Sequence, residues 1–293
     1  MKNGEKIMKE QQGQEYLLLE LKSTNFPVYI SEDLRPLAWP KKGASSNKVM
    51  VCSIPKAGTY FISEILKFIG IESTHLHLWM SGFSDYRFAS LKEFREESEK
   101  FTRNIPLKVA VKLIASGQFA VGHIPCTDDT KEILSDFKKI FLCRNLKDAA
   151  VSYMRFLEST GRLGWHEINP RICPTNTEKM IKYFDNFGKR FLNQCRDMLG
   201  WLDEGDVLKI KFEELYGDYG TERQKEIIVG LCDFINSRNR VEDINSFMEH
   251  IKSVPTGTSS GLRTKREIFW DEEIEKRFIS LGGDRINSVF GYE

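Results

Sequence analysis

"VCSIPKAGTYFISEIL", residues 51–66, decides how the chain is read. Four apolar or small residues, Val51 to Ile54, run into Pro55-Lys56-Ala57-Gly58-Thr59, and an amphipathic stretch follows. The pattern predicts a strand, a tight loop and a helix start. Backbone N–H groups of Ala57, Gly58, Thr59, Tyr60 and Phe61 would face an anion at that helix N-terminus, where the dipole also favours negative charge. Lys56 adds a mobile cation and Thr59 a hydroxyl. The common nucleotide loop, GxxxxGK[ST], places its lysine after the glycine; here Lys56 precedes Gly58. On this stretch alone two readings stand: an anion cradle, or an ordinary strand-to-helix turn with a surface lysine.

Around it the chain alternates strands and helices. "KVMVCSI" (48–54) is a near-continuous apolar run, as a central parallel strand covered on both faces requires. In the helix that follows, Phe61, Ile62, Ile65, Leu66, Phe68 and Ile69 form an apolar stripe, and Gly70 is a natural stop. "KVAVKLI" (108–114), "FAVGHI" (119–124), "KKIFLCR" (138–144) and "VLKIKF" (207–212) read as further strands, "EYLLLELKS" and "FPVYI" as short strands or an edge hairpin. "NLKDAAVSYMRFLES" (145–159) reads as a helix capped by Asn145, with Asp148 at its positive end. A long helix over about 177–203 opens with a Thr175–Glu178 capping box. Helices over about 222–236 and from about 271 follow, the last after a Gly/Ser-rich loop. The expected fold is α/β: a single domain with a central parallel sheet of about five strands flanked by helices. A flexible lead over residues 1–20 would precede one domain over 21–293. In such sheets the ligand lies beyond the carboxyl ends of the strands, where residues 55–60, His123 and Arg144 fall.

Composition narrows the function classes. Lys and Arg number 43 against 42 Asp and Glu, so no global basic excess points to nucleic acid. Cys52, Cys126, Cys143, Cys173, Cys195 and Cys232 are scattered singly, without zinc spacing, as reduced thiols of a cytoplasmic protein would be. The polar N-terminus lacks the apolar core of a signal peptide, and no apolar run reaches the ~18 residues that span a bilayer. The expectation is a cytoplasmic protein that binds neither nucleic acid nor membrane.

A second stretch weighs on the loop. Arg144 ends a strand and Ser152 lies on the following helix, six residues beyond Leu146 and thus only ~9 Å along it. The two could grip one phosphate; taken singly, each reads more simply as structural. Together, "PKAGTYF" and "RNLKDAAVSYMRF" resemble two segments of the soluble sulfotransferase family, commonly written PKSGTTW and RNPKDVAVSYYHF. The ending "FGYE" is similar too, and the resemblance covers about residues 25–293, weakly over 73–105 and 158–200.

The resemblance implies a P-loop-like fold. It also implies a co-substrate, 3′-phosphoadenosine 5′-phosphosulfate (PAPS), a product, 3′-phosphoadenosine 5′-phosphate (PAP), and no required metal. Lys56 would neutralise the bridging oxygen as sulfonate departs. Arg144 and Ser152 would hold the 3′-phosphate, and Phe61 stands where the family stacks a tryptophan on adenine. His123, in "VGHIPC", matches the catalytic histidine, and an imidazole near its ordinary pKa suits a base for a hydroxyl or amine. Arg263, Thr264 and Lys265 fall on the tail motif RKGxxGxW, here "RTKREIFW", of which Arg263 and Trp270 match. Val121 replaces a common lysine and Phe212 a common tyrosine. A small, polar acceptor is expected, from the nearby acids Asp128, Asp129, Glu158 and Glu167. Trp79, Phe83, Tyr86 and Phe88 are candidates for its walls. His75 and His77 share a strand face and offer two metal ligands without a third. A homodimer is compatible with the family, though its usual dimer segment has no clear match. The rival readings are a catalytically silent nucleotide-binding module and a P-loop-like small-molecule kinase.

Overall fold

The computed structural model describes residues 4–11, 14–21, 27–29, 46–87, 89–90, 92–93, 97–160, 171–237, 244–253 and 265–293. Strands β1 (Gly4–Gln11), β2 (Gln14–Leu21) and β3 (Pro27–Tyr29) pair antiparallel as a three-stranded sheet of their own. The segment read as a flexible lead thus carries two paired strands.

The main sheet has seven strands: β4 (Lys48–Ser53), β5 (Glu72–Trp79), β6 (Gly82–Asp85), β7 (Thr102–Arg103), β8 (Gln118–Gly122), β9 (Phe137–Cys143) and β10 (Val207–Lys211). Their order is β10-β9-β4-β8-β5-β6-β7. The first five run parallel, and β6 and β7 extend the edge antiparallel. The expected parallel core of about five strands is therefore present, with two edge strands added. Val49 to Cys52 are buried on both faces of β4, as the continuous apolar run requires. From β4 the chain crosses over β8's place to β5, then returns to β8 and moves to β9 on the other side. The carboxyl end of β4 is thus a topological switch point, the crevice where open α/β sheets hold ligands.

The Thr59–Phe68 helix ends as its sequence requires. Gly70 takes φ 88°, its N–H reaches the Lys67 carbonyl, and the Ile71 N–H reaches that of Leu66. That is a Schellman stop, which a residue with a Cβ would strain. Thr175 and Glu178 form the expected capping box. The long helix they open runs through Asn176–Tyr183, a π turn at Phe184–Gly188, Lys189–Arg196 and a 3₁₀ turn at Leu199–Leu202. One expected strand is absent. Residues 108–114 form a helical turn, Leu107–Ala110, continued as 3₁₀ over Val111–Leu113. The buried set Leu107, Ala110, Val111 and Ile114 has helical spacing, which the alternating Val-Ala-Val masks.

Candidate active site

The loop after β4 is drawn tight by two left-handed residues, Lys56 at φ 65° and Gly58 at φ 88°. Gly58 has no alternative: a Cβ there would lie 2.3 Å from the Phe212 ring. Gly58→Ala combines a left-handed cost of ~1–2 kcal/mol with that overlap. Lower thermal stability and a disordered loop are the expected result; an unchanged melting temperature would mean that Phe212 yields freely. Inside the turn the Ala57 N–H bonds the Ile54 carbonyl, and the Phe61 N–H bonds that of Gly58. The Thr59 hydroxyl is buried and meets the Ser53 hydroxyl at 2.7 Å. Phe61 is nearly buried, edge-on to Phe212 at 5.8 Å and tilted against Tyr216 at 5.4 Å.

Flanking strands bring two more groups to this loop. From the end of β9, Arg144 donates through Nη1 to the Lys56 carbonyl (3.1 Å) and lies 4.6 Å over the Phe212 ring. Phe212, where the resembled family commonly has tyrosine, gives the guanidinium a π face, as a tyrosine ring also would. From the end of β8, His123 places Nδ1 2.7 Å from the Ser53 carbonyl. A carbonyl only accepts, so Nδ1 carries the proton and Nε2 keeps its lone pair. Burial, and then the Lys56 charge, outweigh that bond and push the imidazole pKa down to about 4. The expectation of an ordinary histidine pKa is therefore corrected: His123 is neutral throughout the physiological range.

The Leu146–Thr160 helix supplies the remaining wall. Asn145 caps it, accepting from the Lys147 N–H at 3.0 Å. Phe156 carries the Lys56 ammonium 4.2 Å over its ring, and Ser152, half-buried, lies one turn earlier on that face. Residues that the sequence reading passed over hold this helix start in place. The Asn145 N–H donates to Glu213, the Leu146 N–H donates to Asn287, and the Tyr292 hydroxyl donates to Glu213 at 2.5 Å. The tail joins them: Lys147 pairs with Glu275 at 2.8 Å, and the Trp270 indole N–H reaches the same carboxylate. Lys265 is exposed at the start of a short 3₁₀ turn. Arg263 and Thr264 lie outside the described residues, as do Phe88 and Glu167.

Other candidates move away from the site. Asp128 and Asp129 are exposed on the Asp128–Ile133 helix, with Asp128 paired to Lys131, and Glu158 pairs with Lys179. Phe83 is core, whereas Tyr86 lines a cavity of about 210 Å³ between the Thr59–Phe68 helix and the sheet. The paired strand face expected of His75 and His77 is broken by a register shift between Ser73 and His77, with His75 at φ 57°. His75 is exposed, while His77 turns to Tyr60 and His123. Among the described residues no three His, Cys, Asp or Glu side chains gather as a metal site, and no helix is long and apolar enough to cross a membrane.

The tight loop that carries Lys56, His123 with its Nε2 lone pair retained, and Arg144 meet at one switch point. The family model described as sulfotransferase domain matches residues 46–277, and the chain belongs to that family. Its fold is similar to that of retinol dehydratase, solved in complex with androsterone and inactive cofactor PAP. The identity is 13%, with 92% of this chain and 89% of that chain covered and a TM-score of 0.50. Mouse sulfotransferase SULT7A1, solved with PAP, shows 16% identity over 84% of this chain and 88% of that one, at a TM-score of 0.49. No curated protein sequence matches the chain.

Proposed function

We propose that the protein transfers a sulfuryl group from PAPS to a hydroxyl or amine of a small-molecule acceptor. The observation that carries this reading is the interlock of three strand ends. Ser53 fixes the His123 tautomer with Nδ1 protonated and the Nε2 lone pair retained, and the Lys56 carbonyl is held by Arg144. Family membership and the PAP complexes of the fold relatives support the choice of donor. The donor, when bound, supplies the sulfuryl group and a bisphosphate leaving group. Lys56 would leave the Phe156 ring to meet the negative charge that grows on the bridging oxygen. His123 would accept the acceptor's proton at Nε2, with the resulting imidazolium held through Nδ1 by Ser53. Arg144 and Ser152 would take the 3′-phosphate. Arg263, Thr264 and Lys265 are proposed to complete that end, Phe61 to border the adenine, and the loop amides from Gly58 to Tyr60 to hold the 5′ group, since the Ala57 N–H is taken by the Ile54 carbonyl.

The donor assignment is tested by calorimetry. PAP should bind more tightly than adenosine 5′-monophosphate, with and without a chelator. Arg144→Ala should cost PAP ~1.5–3 kcal/mol, the worth of a charge-assisted bond. The bond of Arg144 to the Lys56 carbonyl implies a smaller loss for the monophosphate too. Equal losses for both nucleotides would make Arg144 a loop brace alone. A large loss of PAP affinity in chelator would favour the kinase.

A further inference from the structure

We propose that His77 is a positioning residue for His123: a ring hung from Tyr60 that plugs the gap between the base and the neighbouring cavity. This rests on the reading of His123 as the base. The plug has three observed parts. The His77 ring packs against His123 with centroids 4.7 Å apart and planes at 70°. Its Nδ1 lies 3.1 Å from the Tyr60 hydroxyl, on the helix that opens at the anion loop. His77, Tyr60 and Val121 line the 210 Å³ cavity, whereas His123 does not, so His77 stands between the two.

The geometry assigns a distinct task to each contact. The Cβ–Cγ bond and the Ser53 carbonyl at Nδ1 hold His123 at one edge. An edge-to-face neighbour adds a restraint on another side and keeps Nε2 on one heading. The same ring covers one side of His123 and so adds to the burial that keeps it neutral, although His123 stays partly exposed elsewhere. The charged group bearing on His123 is Lys56, from the loop, and it acts in the same direction. His77 itself is held neutral by burial and by His123, so it adds bulk and direction to the pair without charge. The β5 register shift serves this arrangement, since it turns His77 inward and leaves His75 exposed.

The test is an NMR pH titration of the five histidines in the full chain, assigned by single substitution. In the wild type the His123 resonance should not titrate above pH ~5. His77→Ala joins the cavity to His123 and admits water. Its titration should then rise by at least ~1 unit toward the ordinary value of ~6.5. His77→Phe keeps the plug, so its His123 should stay silent above pH ~5. Tyr60→Phe cuts the hanger and should broaden both resonances. If His77→Ala fails to fold, His77→Asn is smaller than the imidazole and reads the same titration. A folded Ala or Asn variant whose His123 remains silent above pH ~5 overturns the plug; unchanged line widths in Tyr60→Phe overturn the hanger. Calorimetry with PAP runs on the same samples. PAP affinity should stay within ~2-fold in the His77 variants. Failure of the wild type to bind PAP would count against the donor reading and leave the titration to decide the plug.

Discussion

His123→Ala should lower turnover by ~10²–10⁴-fold while PAP affinity stays nearly intact, because the imidazole is assigned only to the acceptor's proton. The wild-type pH profile carries a second expectation. A base works only when unprotonated, so kcat/KM should fall as pH drops through about 4 and be flat in this limb above pH ~5. The low pKa, from burial and Lys56, is what moves the limb away from its usual place. A limb near the ordinary ~6.5 would mean that the ring is wetter than its packing implies. Activity retained in His123→Ala would make the histidine structural. Asp128 and Asp129 would be poor substitutes, since both are exposed on a neighbouring helix.

Lys56→Ala should fail differently. Its ammonium is assigned to charge that develops as the S–O bond breaks, so turnover should fall ~10²–10³-fold and PAP affinity only a few-fold. The structure holds this lysine over Phe156 and strains its backbone at φ 65°, so both its anchor and its reach are set by neighbours. Removing it should also raise the His123 pKa, because the nearby positive charge disappears. Equal losses in affinity and turnover would reduce Lys56 to a ground-state contact.

Much of this was legible in the residues. The apolar run at 48–54, the stop at Gly70, the Asn145 cap and the Thr175–Glu178 box all act locally, and local chemistry reads directly from sequence. The turn at 107–113 was misread because an alternating Val-Ala-Val run fits a strand when nothing shows what surrounds it. The site's supports were illegible for a different reason. Glu213 and Asn287 reach the start of the Leu146–Thr160 helix from 68 and 141 positions away, and Tyr292 braces Glu213 from 79, distances no local pattern carries. The His77–His123 contact depends on a strand register shift, and the histidine pKa depends on burial. The resemblance alone proposes Arg144 as a phosphate ligand, whereas its bond to the Lys56 backbone has no signal in the sequence.

Sulfuryl transfer itself is tested most directly with PAPS labelled at sulfur, incubated with the full chain and pooled small-molecule extracts, while released label and PAP are followed together. Label should appear in a small molecule in step with PAP, without added metal, and fall to background in Lys56→Ala and His123→Ala. PAPS that binds but passes no label to any fraction beyond the level of His123→Ala would contradict sulfuryl transfer and leave a nucleotide-binding module in its place.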